Sequence, residues 1–179
     1  MFSGKTSELV HECKKWSVVY KNILLINHSA DDRYGSDEFV YTHNLEKMKC
    51  VNVSNLSDIS LNIVVSSDLI LINEAQFFND LKENVLSWCE IFNKKIILSG
   101  LDGDYKRKPF GQLLELIPYA NSVKKLSAFC SICNNGNEAY FSHRLSNETD
   151  QVVVGSTNYV PLCREHYLSM NKKNDDVLL

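Results

Sequence analysis

A chain of 179 residues with 44% hydrophobic and 23% charged content has the size and balance of one packed domain plus a small appendage. A net charge of −3 argues against a nucleic-acid-binding surface, which is usually strongly basic, and no apolar run approaches the roughly 20 residues that cross a bilayer. Lys5 and Glu8 stand where the apolar stretch of a signal peptide would begin, and three of the six cysteines cluster late with metal-like spacing, so the chain reads as cytosolic with reduced thiols.

The first segment, Met1-Phe2-Ser3-Gly4-Lys5-Thr6, is the back half of a phosphate-binding loop of the form G-x-x-x-x-G-K-[ST]. In such a loop backbone N–H groups and the lysine meet phosphates, and the hydroxyl holds magnesium. The motif's first glycine and its leading strand would precede Met1, so the chain is expected to lack its first strand. From Ser7 to about Tyr20, Leu9, Val10, Cys13 and Trp16 recur at helical spacing. Lys21 to Asn27 is an apolar run suited to a buried parallel strand. Asp31 to Asn44 is polar and irregular and predicts a loop carrying Asp31, Arg33 and His43. Strands are predicted near Met48 to Val53 and over Asp68 to Ile72. The second of these runs into Asn73-Glu74-Ala75-Gln76-Phe77-Phe78, which puts a carboxylate and two aromatic walls where ligands bind in open α/β sheets, beyond the carboxyl ends of strands.

Asp80 to Asn93 predicts a helix with Leu81, Val85, Leu86, Cys89 and Phe92 on one face, and Lys95 to Ser99 predicts the next buried strand. This alternation implies an α/β fold, a parallel sheet with flanking helices. The loop after that strand, Leu101 to Gly111, offers Leu101, Tyr105 and Phe110 as apolar walls and a basic run, Lys106 to Lys108, that can meet phosphates. After about Lys125 the pattern changes to short β-prone runs and turns. There Cys130-x2-Cys133 and Cys163-x2-His166 match a tetrahedral zinc site built from two turns. Four protein ligands leave no open position for a catalytic water, so the zinc is read as structural. Residues 1–125 are thus expected to form the nucleotide-binding core, 126–170 a zinc-binding lasso subdomain and 171–179 a disordered tail, its charged stretch Asn171 to Asp176 frayed.

Together, MFSGKT, DDRY with Thr42-His43, INEAQFF, LDGDYKRKPFG, VKKLSAFCSIC and VGSTNYVPLCREHY resemble the zinc-containing thymidine kinase family, in the family's order and over nearly the whole chain. The resemblance implies an ATP-dependent phosphotransferase acting on the 5′-hydroxyl of thymidine or deoxyuridine. It also implies a P-loop-type α/β core, a zinc-tethered β lasso closing over the nucleoside, and commonly a homotetramer. Carried over residue by residue, Met1, Phe2, Ser3, Gly4, Lys5 and Thr6 would bind ATP and its Mg2+, helped by Asp31, Asp32, Asn73 and Gln76, with Arg33 approaching the phosphoryl group in transit. Glu74 would be the general base. Phe77, Leu101, Tyr105 and Phe110, with Met1, would line the nucleoside pocket. Asp150, Gln151, Val152, Val153 and Val154 would supply backbone hydrogen bonds to thymine, with Tyr159 packed beside them. Cys130, Cys133, Cys163 and His166 would hold Zn2+. Asn73 and Tyr105 stand where the family commonly has aspartate and phenylalanine, and Val154-Gly155-Ser156 where it usually has two glycines before a small residue. Asn73 and the broken phosphate loop raise a second expectation, a catalytically impaired nucleoside- or nucleotide-binding protein that keeps the fold and zinc. A zinc-ribbon nucleic-acid binder is disfavoured by the acidic charge.

Overall fold

The structure, a computed structural model, describes residues 2–31, 39–41, 47–153 and 158–175. Its contacts divide the chain into two units. One comprises Lys5–Asp102 with Pro109–Val123; the other comprises the described residues of Met1–Gly4, Gly103–Lys108 and Lys124–Leu179.

In the first unit the chain runs α1 (Lys5–Trp16), β1 (Ile23–His28), β2 (Phe39–Tyr41), β3 (Lys47–Lys49), β4 (Val51–Val53), α2 (Leu61–Ser66), β5 (Leu69–Ile72), α3 (Leu81–Leu86) and β6 (Lys95–Leu98). A four-stranded sheet in the order β4-β1-β5-β6 is parallel throughout, with helices packed on its faces. The reason lies in β1 and β5. Both are apolar at successive positions, and side chains of a strand alternate between faces, so each strand has two apolar faces to cover. Leu24, Ile26, Ile70 and Ile72 meet Val64 of α2 and Leu81 and Val85 of α3 on one side. Leu25, Leu69 and Leu71 meet Leu9 and Cys13 of α1 on the other. All four β5 side chains are fully buried, and each such burial contributes about 1.5–3 kcal/mol.

Several elements differ from the sequence expectation. Within the segment read as a loop, Phe39–Tyr41 forms a strand paired antiparallel with Lys47–Lys49. The single strand expected over Met48 to Val53 is split at buried Cys50, with β3 pairing to β2 and β4 pairing parallel to β1. The helix expected over Asp80 to Asn93 is regular only to Leu86, and Ser87–Ile91 widens into a π turn that buries Trp88. Asp80 leaves the helix uncapped and accepts instead the N–H groups of Leu56 and Ser57, at 3.1 and 2.9 Å. The short helix α2 and the 3-10 turn Leu113–Tyr119 had no periodic signal long enough to read.

In the second unit, β7 (Ala128–Phe129) pairs antiparallel with β8 (Glu138–Ala139), and β9 (Phe141–Arg144) with β10 (Tyr159–Leu162). Helix α4 (Arg164–Asp175) follows, so the charged segment expected to fray continues a helix to Asp175. The buried core here is small: Ala128, Cys130, Ala139, Leu162 and Tyr167. No helix among the described residues is long and apolar enough to cross a membrane.

Candidate functional site

The carboxyl ends of the strands converge on Glu74. Past β5, the Asn73 N–H still donates to the Ile26 carbonyl at 2.8 Å, extending the ladder by one residue. Glu74 then takes a left-handed conformation (φ 50), and the Ala75 N–H donates to the Ser99 carbonyl at 2.9 Å. A left-handed non-glycine residue costs roughly 1–2 kcal/mol, and such strain persists only where the surroundings over-determine it. Here it leaves the carboxylate buried at the sheet's end, 7% exposed, with Gln76 Nε2 donating to its Oε2 at 2.7 Å. Gln76 Oε1 in turn accepts the Leu101 N–H at 2.9 Å. The loop after β6 can approach this closely because Gly100 and Gly111 face Gln76. A Cβ on Gly111 (φ +60) would lie 2.1 Å from the Gln76 carbonyl oxygen.

Beside Glu74, the strand ends are joined by amides. Asn73 Nδ2 donates to Asn27 Oδ1 at 2.8 Å, and Asn27 Nδ2 donates to Asn52 Oδ1 at 3.1 Å. This neutral relay crosses the ends of β5, β1 and β4.

Of the two phenylalanines read as pocket walls, Phe77 is half-buried and meets Phe110 edge-on, centroids 5.5 Å apart. Phe78 is instead fully buried in the core, a correction that follows from the 3-10 turn Ala75–Phe77 directing consecutive side chains differently from a strand. His28 contacts both rings, at 5.4 and 4.7 Å, and was missed because it falls just past the predicted strand Lys21 to Asn27, outside any motif. Burial holds its imidazole below the ordinary 6.5, and its Nδ1 accepts the Ala30 N–H at 3.0 Å, so the ring is neutral at pH 7. Leu101 is half-buried at the start of the loop after β6.

At the chain's start, Gly4 is left-handed (φ +73) and Lys5 opens α1, with Thr6 in its first turn. Backbone N–H groups of a first helical turn point out of the helix and suit an anion. Phe2 and Ser3 precede this turn; Asp31 follows β1, its N–H donating to the His28 carbonyl at 3.0 Å. Met1, Asp32, Arg33 and Val154, like Thr42 and His43, lie outside the described residues.

In the second unit, Cys130, Cys133, Cys163 and His166 come together with their ligand atoms all within 4.8 Å of one another. The Sγ–Sγ distance from Cys133 to Cys163 is 3.7 Å, and His166 Nδ1 lies 3.6, 3.3 and 3.2 Å from the sulfurs of Cys130, Cys133 and Cys163. Bonds of about 2.0–2.3 Å to zinc give tetrahedral edges of about 3.3–3.8 Å, so the four residues fit that ion. Just after the first ligand pair the chain turns through left-handed Asn134 and Gly136, and the second pair sits at the start of α4. Burial pushes the Cys130 thiol up, but N–H groups of Cys163, Ile132 and Cys133 outweigh it and bring the thiol down to about 6, in favour of the metal-binding thiolate.

The loop between β9 and β10 is tied by side chains of the same unit. The Tyr105 hydroxyl donates to the Thr149 carbonyl at 3.1 Å, Gln151 Nε2 to Asp104 Oδ2 at 3.0 Å, and the Tyr159 hydroxyl to the Val153 carbonyl at 3.2 Å. Buried Arg144 was missed. Its signal, a cross-strand pairing with Tyr159, appears only once β9 and β10 are in register.

A model of the thymidine kinase family matches residues 1–167. A thymidine kinase of Oryza sativa subsp. japonica is 39% identical over 94% of the chain, which spans 63% of that protein's length. The thymidine kinases of Yaba monkey tumor virus and vaccinia virus (strain Western Reserve) are 37% and 35% identical over 96% and 94% of the chain, and the chain covers 92% of each. A family match of this extent, over a chain that carries a strand-end carboxylate and a Cys3His cluster, means that the protein belongs to the thymidine kinase family.

Proposed function

We infer that this chain transfers the γ-phosphoryl group of ATP to the 5′-hydroxyl of thymidine or deoxyuridine, a step of pyrimidine deoxynucleotide salvage. The observation that carries this reading is Glu74: a buried carboxylate, held by Gln76 in a left-handed turn at the carboxyl end of a central parallel strand. Phosphoryl transfer asks the protein mainly for positioning and charge stabilisation, and an alcohol nucleophile needs a carboxylate within hydrogen-bond reach to take its proton. Glu74 fills that role as the 5′-oxygen bonds to the γ-phosphorus, the bond to the ADP oxygen breaks, and ADP leaves.

Lys5 and the N–H groups of the α1 first turn would hold the phosphates. Thr6 and Asp31 would hold Mg2+, which neutralises phosphate charge when bound. Asn73 would reach a water of that ion through its amide oxygen, since its Nδ2 is engaged with Asn27. Phe77, Phe110 and Leu101 would wall the nucleoside, and the backbone of residues 150–154 would read the base. Zinc would serve structure alone. A homotetramer in a reducing cytosol completes the proposal; it rests on the resemblance and the free thiols. The family match gives no support to the second expectation, an impaired binding protein.

The test is a nucleoside panel with magnesium-ATP. Thymidine and deoxyuridine are expected to yield monophosphates, and deoxycytidine and the purine deoxynucleosides to yield none above background. Phosphorylation of the purines at comparable rates would overturn the substrate class.

A further inference from the structure

Arg144 ends β9 and is only 5% exposed. A buried charge is tolerated only when its polar groups are satisfied, and a guanidinium has five N–H donors. All five are used. Nε and Nη2 donate to the Tyr159 hydroxyl at 3.1 and 2.6 Å, Nη2 also to the Gln151 carbonyl at 3.0 Å, and Nη1 to the carbonyls of Glu148, at 3.0 Å, and Asp150. The guanidinium carbon lies 3.7 Å from the centre of the Tyr105 ring. Counting the carbonyls that Tyr105 and Tyr159 engage, the clamp takes those of residues 148, 149, 150, 151 and 153.

This has a consequence for the other side of the loop. A trans peptide points each N–H opposite the preceding carbonyl. Drawing in the carbonyls of 148–151 therefore turns the N–H groups of 149–152 away from Arg144 and the Tyr105 hydroxyl, and residues 149–152 are exposed. Resting on the thymidine reading above, we propose that Arg144 is the positioning residue for nucleoside recognition. It sets the loop so that a strip of backbone N–H donors meets a base edge that carries carbonyl oxygens. That polarity suits thymine and uracil and opposes the amino-bearing edge of cytosine. Lysine cannot replace it, because three donors on a point charge cannot span three carbonyls and a hydroxyl.

The experiment compares the wild-type chain with Arg144→Lys and Tyr159→Phe, measuring zinc content, kcat, and KM for thymidine and for ATP separately. Arg144→Lys is expected to raise thymidine KM by about tenfold or more, with ATP KM and zinc content little changed, and to narrow the preference for thymidine over deoxycytidine. Tyr159→Phe, which keeps the ring and removes one node, is expected to raise thymidine KM by less. A purely structural role would move both KM values or zinc content together. If Arg144→Lys retains wild-type thymidine KM the proposal fails. If Arg144→Lys does not fold, an unchanged thymidine KM in Tyr159→Phe overturns it. A wild type that does not phosphorylate thymidine would fell the functional reading first, and this inference with it.

Discussion

Replacing Glu74 with glutamine is expected to lower kcat by about 10²–10⁴ while leaving thymidine KM within a few-fold of wild type. Glutamine keeps the side chain's length, and its amide oxygen can still accept from Gln76 Nε2, which now approaches Glu74 Oε2 at 2.7 Å. What is lost is the ability to take a proton. The turn that presents residue 74 is fixed by backbone bonds on both sides, from Asn73 to Ile26 and from Ala75 to Ser99, so the substitution does not free the loop. A split in which kcat falls and KM holds identifies an interaction made in the transition state. A variant that keeps most of its rate would place the base elsewhere.

Cys163→Ser is expected to have the other large effect. Wild-type protein should contain close to one zinc per chain, and the variant well under half of that. Among the described residues the second unit's buried hydrophobic cluster has five members, and small units of that kind usually need a metal or disulfide to fold. Structural zinc sites supply apparent binding free energies of about 10–16 kcal/mol at pH 7, far more than such a core. Losing one thiolate should therefore lower the melting temperature of the second unit and raise thymidine KM. The parallel sheet, whose core contains none of the four ligands, should keep its secondary structure. Full zinc occupancy in Cys163→Ser would remove that residue from the ligand set.

The elements legible in the sequence were those whose signal is local. β1 and β5 announce themselves as apolar runs because both faces are buried, and the two Cys/His pairs carry their own spacing. Glu74 was legible from its place after β5. The break at Cys50 was not, because β3 and β4 choose different partners, β2 and β1, and only tertiary pairing reveals where one ends. The same holds for Phe78. It follows Phe77 in sequence and shares its chemistry, yet the 3-10 turn at Ala75–Phe77 sends one ring toward Phe110 and the other into the core. Arg144 was invisible for a third reason: three of its partners are main-chain carbonyls, of residues 148, 150 and 151, which leave no trace in side-chain identity, and the fourth, the Tyr159 hydroxyl, joins it only once β9 and β10 pair.

The most direct measurement follows the phosphorus itself. Zinc-loaded protein, magnesium-ATP and thymidine are observed by phosphorus NMR until the nucleotide signals stop changing. Thymidine 5′-monophosphate and ADP are expected in equal amounts, with the new ester on the 5′-oxygen and no accumulation of inorganic phosphate. ADP and inorganic phosphate with thymidine unchanged, or no turnover in protein that is folded and zinc-loaded, would contradict assignment of this chain as a working thymidine kinase.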